Sequence, residues 1–143
     1  MSGNYQYIDH PADIAVEVSA ENYEDLFIIS AQAWKDSVVD ELSPNNLEEK
    51  ILEFNENSIE ELLVHFLSEL NYLLLGSKWI TTGVKQIKIN KLNNEWNLRA
   101  IILGIPFNEQ QLNIKIEIKA ITFHQMDVKF IDGKFITRIV FDI

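Results

Sequence analysis

After Gly76 the hydrophobic period of this chain becomes two and stays there. Before that point, Ser58 and Glu61 form a capping box, followed by Ile59, Leu62, Leu63, Phe66, Leu67, Leu70 and Leu74 at helical spacing. After it, apolar residues alternate with polar ones over residues 84–92, 96–103, 114–118, 128–131 and 135–141. A period of two cannot lie still as a helix, so the second half of the chain is committed to strands. Asn93-Asn94 and Asp132-Gly133 separate two pairs of these runs and carry the residue types that hairpin turns select. One-sided strands need a cover, and the preceding helical stripe is there to supply it.

The first half repeats the same logic on a smaller scale. Ile14, Val16 and Val18 alternate with Ala15, Glu17 and Ser19, which reads as a half-buried strand. Asn22 is placed to cap a helix whose apolar positions are Tyr23, Leu26, Phe27, Ala33, Trp34 and Val38. Ser43-Pro44-Asn45-Asn46 ends it, and residues 47–54 alternate again. The order strand, helix, strand, helix and then strands predicts an α+β fold, with two helices packed on a mainly antiparallel sheet. With 143 residues and no linker, a single domain over 1–143 is expected. Trp34, Trp79 and Trp96 are expected to pack in or against the core, and His65 to sit on the flank of its helix.

Charge narrows the function. Twelve basic residues stand against 22 acidic ones, a formal charge of −10. Tight binding to nucleic acid rests on Lys and Arg displacing counterions, so direct RNA or DNA binding is not expected. Such a field attracts basic protein surfaces and metal cations. No apolar run approaches the ~20 residues that cross a bilayer, and the first residues lack a signal-peptide pattern. The chain has no cysteine, which removes disulfides, thiol nucleophiles and Cys-based zinc sites. A cytoplasmic protein is the expectation.

Motifs for familiar chemistry are scarce. The five glycines are scattered, so no phosphate loop or dinucleotide fingerprint is present. No serine has the strand-to-helix context of a nucleophile. Two places hold clustered ligand types. The first is Asp9-His-Pro-Ala-Asp13, where His10 and Asp13 flank Pro11 in an extended or turning segment. It reads either as a polar turn or as part of a cation site too small to stand alone. The second is the ending Phe141-Asp-Ile143, where a strong strand runs to the last residue. Asp142 and the α-carboxylate would then lie close together. A bound cation would relieve their repulsion, unless both are simply hydrated. If the first and last strands converge, Asp13 adds a third anionic group.

Three separated stretches, Tyr7-Ile-Asp-His-Pro-Ala-Asp-Ile14, Lys119-Ala-Ile-Thr-Phe-His-Gln-Met126 and Val140-Phe-Asp-Ile143, together resemble the archease family over nearly the whole chain. Pro11 stands where Thr is common in that family, and Phe123 where Tyr is common; neither is a ligand. The resemblance implies a small accessory protein of the RtcB-type RNA ligase of tRNA splicing and repair. Such a protein promotes guanylylation and repeated turnover of the ligase and has no catalysis of its own. It implies a metal site of Asp13, Asp142 and Ile143, the last through its main-chain carboxylate, and a functional role for Lys119. His10 and His124 become residues supporting that site. An all-oxygen anionic set suits a hard divalent cation, calcium first, with magnesium or manganese as alternatives. Two other readings stay open: a metal-dependent hydrolase on the same carboxylates with His10 or His124 as base, and a protein-binding module with no ion.

Overall fold

In the computed structural model the described residues are 2–8, 13–42, 44–108, 113–122 and 126–143. Ten elements run β1 (Asn4–Ile8), β2 (Asp13–Ala20), α1 (Tyr23–Val38), β3 (Glu48–Glu56), α2 (Ile59–Ser77), β4 (Trp79–Leu92), β5 (Glu95–Pro106), β6 (Ala120–Thr122), β7 (Lys129–Ile131) and β8 (Lys134–Asp142). Each helix begins where its cap predicts. The Asp25 N–H donates to Asn22 Oδ1 at 2.7 Å, and the Glu61 N–H to Ser58 Oγ at 3.0 Å. Acidic residues of each first turn reach further than the helix. Glu24 accepts from the Ile89 N–H at 3.1 Å and Glu60 from the Val128 N–H at 2.9 Å, tying both helix starts to other backbone segments. The helix α2 ends on Lys78 in the left-handed conformation.

The strands form two antiparallel sheets rather than one. The first has the order β1-β2-β8-β6, with β7 also on β8; the second has the order β3-β5-β4. Both helices lie against them, α1 touching β1, β2, β4 and β8 and α2 touching β3, β4, β5 and β6. One hydrophobic cluster joins the layers, from Val16 and Val18 through Phe27, Trp34, Phe66 and Leu70 to Leu98, Ile102, Ile139 and Phe141. The α+β class is as expected, and Trp34 and Trp79 are buried while Trp96 is half-buried. The hairpins turn at Asn93-Asn94 (φ 54 and 65°) and at Asp132-Gly133 (φ 52 and 80°), the left-handed geometry that two-residue turns require.

The structure corrects three expectations. A strand precedes Ile14: β1 places Tyr5 and Tyr7 over α1, where Tyr7 donates to the Ala33 carbonyl at 3.2 Å. The alternating residues 114–118 do not form a strand; they bridge only at Val39↔Ile114, and pairing with β8 starts at Ala120. Alternation places Ile118 in the core, but a strand also needs a partner edge, and this segment meets α2 instead. Finally, β4 starts at Trp79, five residues before the regular alternation. Two β-bulges, between Thr81 and Gly83 and between Val84 and Gln86, hide the early part of its period.

Candidate functional site

The register of β2 against β8 is set by their inward faces. Ile14, Val16, Val18 and Ala20 pair with Phe141, Ile139, Thr137 and Phe135. A slip by one residue would turn these into solvent and carboxylates into the core, so the hydrophobic pattern fixes the pairing. The alternate residues then project from the opposite face, where Glu17 lies across from Arg138 and Asp13 across from Asp142. The two carboxylates singled out at opposite ends of the sequence are thus cross-strand partners on one face. Asp142 is held from the other side as well: Ala120 pairs with it, and the Lys119 N–H donates to its carbonyl at 2.8 Å. Ile143 follows directly and is 40% exposed.

Asp13, Asp142, Ile143 and Lys119 therefore meet at one corner of the five-stranded sheet. His10 and His124 lie outside the described residues. Directly opposed like charges destabilise a strand pair unless something compensates them, and a hard cation is the ligand such a pair accepts. Among the described residues no three His, Cys, Asp or Glu side chains group to hold a metal. The side chains supply two carboxylates, and a third anionic oxygen group would have to come from the main chain at Ile143. The donor chemistry, all oxygen and all anionic, fits a hard divalent ion.

A wide, open groove of about 660 Å³ borders the corner. It is lined by Tyr7, Ile8, Asp13, Ile14, Asp36, Ser37, Lys115 and Ile116. One side of its wall is polar and tied together: Tyr7 Oη and Ser37 Oγ share a hydrogen bond at 3.1 Å, and the Tyr5 hydroxyl donates to Asp36. That hydrogen bond, with burial and the Asp36 charge, pushes the Tyr5 hydroxyl well above the ordinary tyrosine range. Sequence reasoning missed this wall. The signal was the alternation Tyr5, Tyr7 within polar neighbours, too short to announce a strand. His65 lies where expected, on the flank of α2, stacked on Phe54 with its Nδ1 2.8 Å from Glu56 Oε2.

Residues 5–143 match the family model described as "Archease protein family (MTH1598/TM1083)". Protein archease of Methanopyrus kandleri is 29% identical over 141 residues, covering 97% of this chain and 99% of that protein. Protein archease of Thermococcus kodakarensis is 30% identical over 140 residues, covering 97% and 98%. The solution structure of Methanobacterium thermoautotrophicum protein 1598 superposes with a TM-score of 0.78 at 24% identity, over 97% of this chain and 98% of that one. The crystal structure of a Thermotoga maritima protein described as "an archease, possible chaperone" gives 0.58 at 22% identity, over 96% of each. These two likenesses bear on the fold. No helix among the described residues is long and apolar enough to cross a membrane.

Proposed function

This chain belongs to the archease family, and on that premise we propose that it is a metal-binding accessory protein of an RtcB-type RNA ligase, promoting guanylylation and repeated turnover of the ligase in tRNA splicing and RNA repair. The observation that carries this reading is the register placing Asp13 opposite Asp142, with the Lys119 N–H on the Asp142 carbonyl. Asp13, Asp142 and the Ile143 carboxylate would hold a divalent cation, calcium first and magnesium or manganese otherwise. The ion would offset two of the three carboxylate charges and hold the three groups in one arrangement for the ligase to meet. A charge of −10 supports docking to a basic protein rather than to RNA itself. The groove beside Asp13 is broad and open, which suits a docking rim better than the enclosed pocket of a hydrolase. An accessory role without chemistry of its own is compatible with the description of the Thermotoga protein as a possible chaperone.

The test is multiple-turnover RNA ligation by a purified RtcB-type ligase, with and without this protein. Stimulation by the intact chain and its loss in Asp142→Ala, with calcium binding lost in calorimetry, is the expected result. No stimulation by the intact chain sinks the accessory reading. Full stimulation by Asp142→Ala leaves that reading and removes the metal from it. Adding residues after Ile143 should impair calcium binding and stimulation of the ligase, with little change in the unfolding midpoint of the calcium-free chain.

A further inference from the structure

Away from the carboxylate corner, the face of α1 that turns toward β4 has a hole in it. Ile28, Ala31, Gln32 and Lys35 recur at the spacing of one helical stripe and, with Thr81, Thr82, Gly83 and Val84 of β4, enclose a pocket of about 160 Å³. The two β-bulges of β4 lie at either side of Gly83. They bend the strand where it crosses the helix.

Gly83 is the informative residue. A glycine inside a strand serves a left-handed conformation, a bulge or the close approach of another group. Gly83 does not have a positive φ, and a Cβ built on it meets no atom within 4 Å. Gly104, by contrast, is packed so tightly that its Cβ would lie 2.6 Å from the Trp79 ring. Nothing among the described residues uses the room over Gly83, and Ala31 leaves further volume on the helix side. The bulges and the two small residues together shape a recess with apolar walls at Ile28, Ala31 and Val84.

Its polar lining is specific. Thr81 is 2% exposed, and its hydroxyl has no hydrogen-bond partner among the described residues. Among the described residues Thr82 makes one long bond, of 3.4 Å, to the Leu103 carbonyl. Lys35 Nζ lies 3.9 Å from Asp36 Oδ1, beyond hydrogen-bonding distance, so that ion pair leaves its donors available. Gln32 is exposed beside it.

We propose that this pocket is a binding site for a small aromatic carboxylate, its ring between Ala31 and Gly83 and its anionic group received by Lys35 and Gln32. The size fits, since an apolar cavity of about 150 Å³ accommodates benzene. The overall negative charge does not forbid an anion here: at about 0.15 M salt charges beyond about 8 Å are screened. Although Asp36 lies 3.9 Å from Lys35, Lys35 is the charged residue that lines the pocket. A ligand of this size binds weakly, with Kd on the order of 1 mM.

The test uses sodium benzoate as probe, followed through the methyl resonances of Ile28, Ala31 and Val84 at physiological salt, with benzyl alcohol and benzylamine alongside. Saturable shifts with benzoate are expected. Lys35→Met should weaken benzoate about tenfold, the loss of one charged contact, and leave benzyl alcohol unchanged. Gly83→Val should fill the recess and remove binding of both, its fold checked by the unchanged resonances of β8. Should Gly83→Val not fold, the Lys35→Met comparison decides alone. The proposal is overturned by an absence of saturable shifts, by benzylamine binding as well as benzoate, or by shifts that persist in Gly83→Val. It is equally overturned if no probe binds and Gly83→Val weakens only the ligase complex, which would make the recess a socket for a protein side chain.

Discussion

Replacing Asn71 by Leu tests how firmly the core holds the carboxylate corner. Asn71 lies on α2, 6% exposed, and its amide joins two other elements. Its oxygen accepts from Trp34 Nε1 on α1 at 3.0 Å, and its nitrogen donates to the Ile118 carbonyl at 2.8 Å. Trp34 and Ile118 are both buried, so leucine would strand one donor and one acceptor away from water. Each stranded group costs about 1–3 kcal/mol, while the larger apolar side chain returns part of that. A net loss of about 3 kcal/mol follows, or roughly 10 °C in Tm for a chain of this size. Ile118 is followed by Lys119, whose N–H donates to Asp142, so the damage should reach the corner. Urea denaturation followed by tryptophan fluorescence measures the first effect. Hydrogen exchange of the Lys119 amide measures the second; it should accelerate about 100-fold, the exponential of the lost stability. An unchanged unfolding midpoint, or an unchanged Lys119 exchange rate in a destabilised variant, would refute the chain of contacts.

Two further outcomes are expected. Gly104→Ala must push a methyl group into the Ile80 carbonyl at 2.4 Å and the Trp79 ring at 2.6 Å, and should cost about 1–3 kcal/mol, whereas Gly83→Ala should be neutral or stabilising by up to about 1 kcal/mol; equal midpoints for the two in chemical denaturation would contradict both placements. Asp25 accepts from the Ser2 N–H and hydroxyl, each at 3.0 Å, and the Ser2 backbone bond chiefly lowers its carboxyl below the ordinary 3.8, against the opposing effect of burial. A lowered carboxyl stabilises the fold above the unfolded value and loses that contribution as pH falls through the folded one. The Ser2 anchor should accordingly survive to below pH 3.8, and a carboxyl titration midpoint at or above that value would exclude it.

What the sequence disclosed follows from which signals are local. The two helices were legible because a cap and a stripe lie within a few turns of each other, as at Ser58 and the leucines behind it. The hairpins were legible because Asn93-Asn94 and Asp132-Gly133 state their own backbone conformation. The start of β4 was not, since bulges at Thr82 and Lys85 shift the period that would have announced it. The run at Ile114, Ile116 and Ile118 misled for the opposite reason: alternation reports which side faces the core, while strand formation depends on a neighbour the sequence does not name. The division into two sheets depends on the same long-range choice. Of the candidate site, Asp13 and Asp142 stood out as residue types, and a meeting of the two was conditional on the first and last strands pairing. The structure meets that condition through Ile14 and Phe141. The pocket over Gly83 had no signature beyond a glycine in an otherwise strand-like run.

Strand β8 occupies an interior position in its sheet, with β2 on one side and β6 and β7 on the other. On a ribosome this arrangement imposes an order of events. The unit β3-α2-β4-β5 is made of neighbours in sequence and can assemble while synthesis continues. The first two strands cannot complete their sheet until β8, which follows every other described strand in the chain, has been made. Until residue 142 has left the exit tunnel, Asp13 has no Asp142 across from it. The carboxylate corner thus forms only once β8 has been made and paired with β2, and a chain interrupted before residue 142 lacks it.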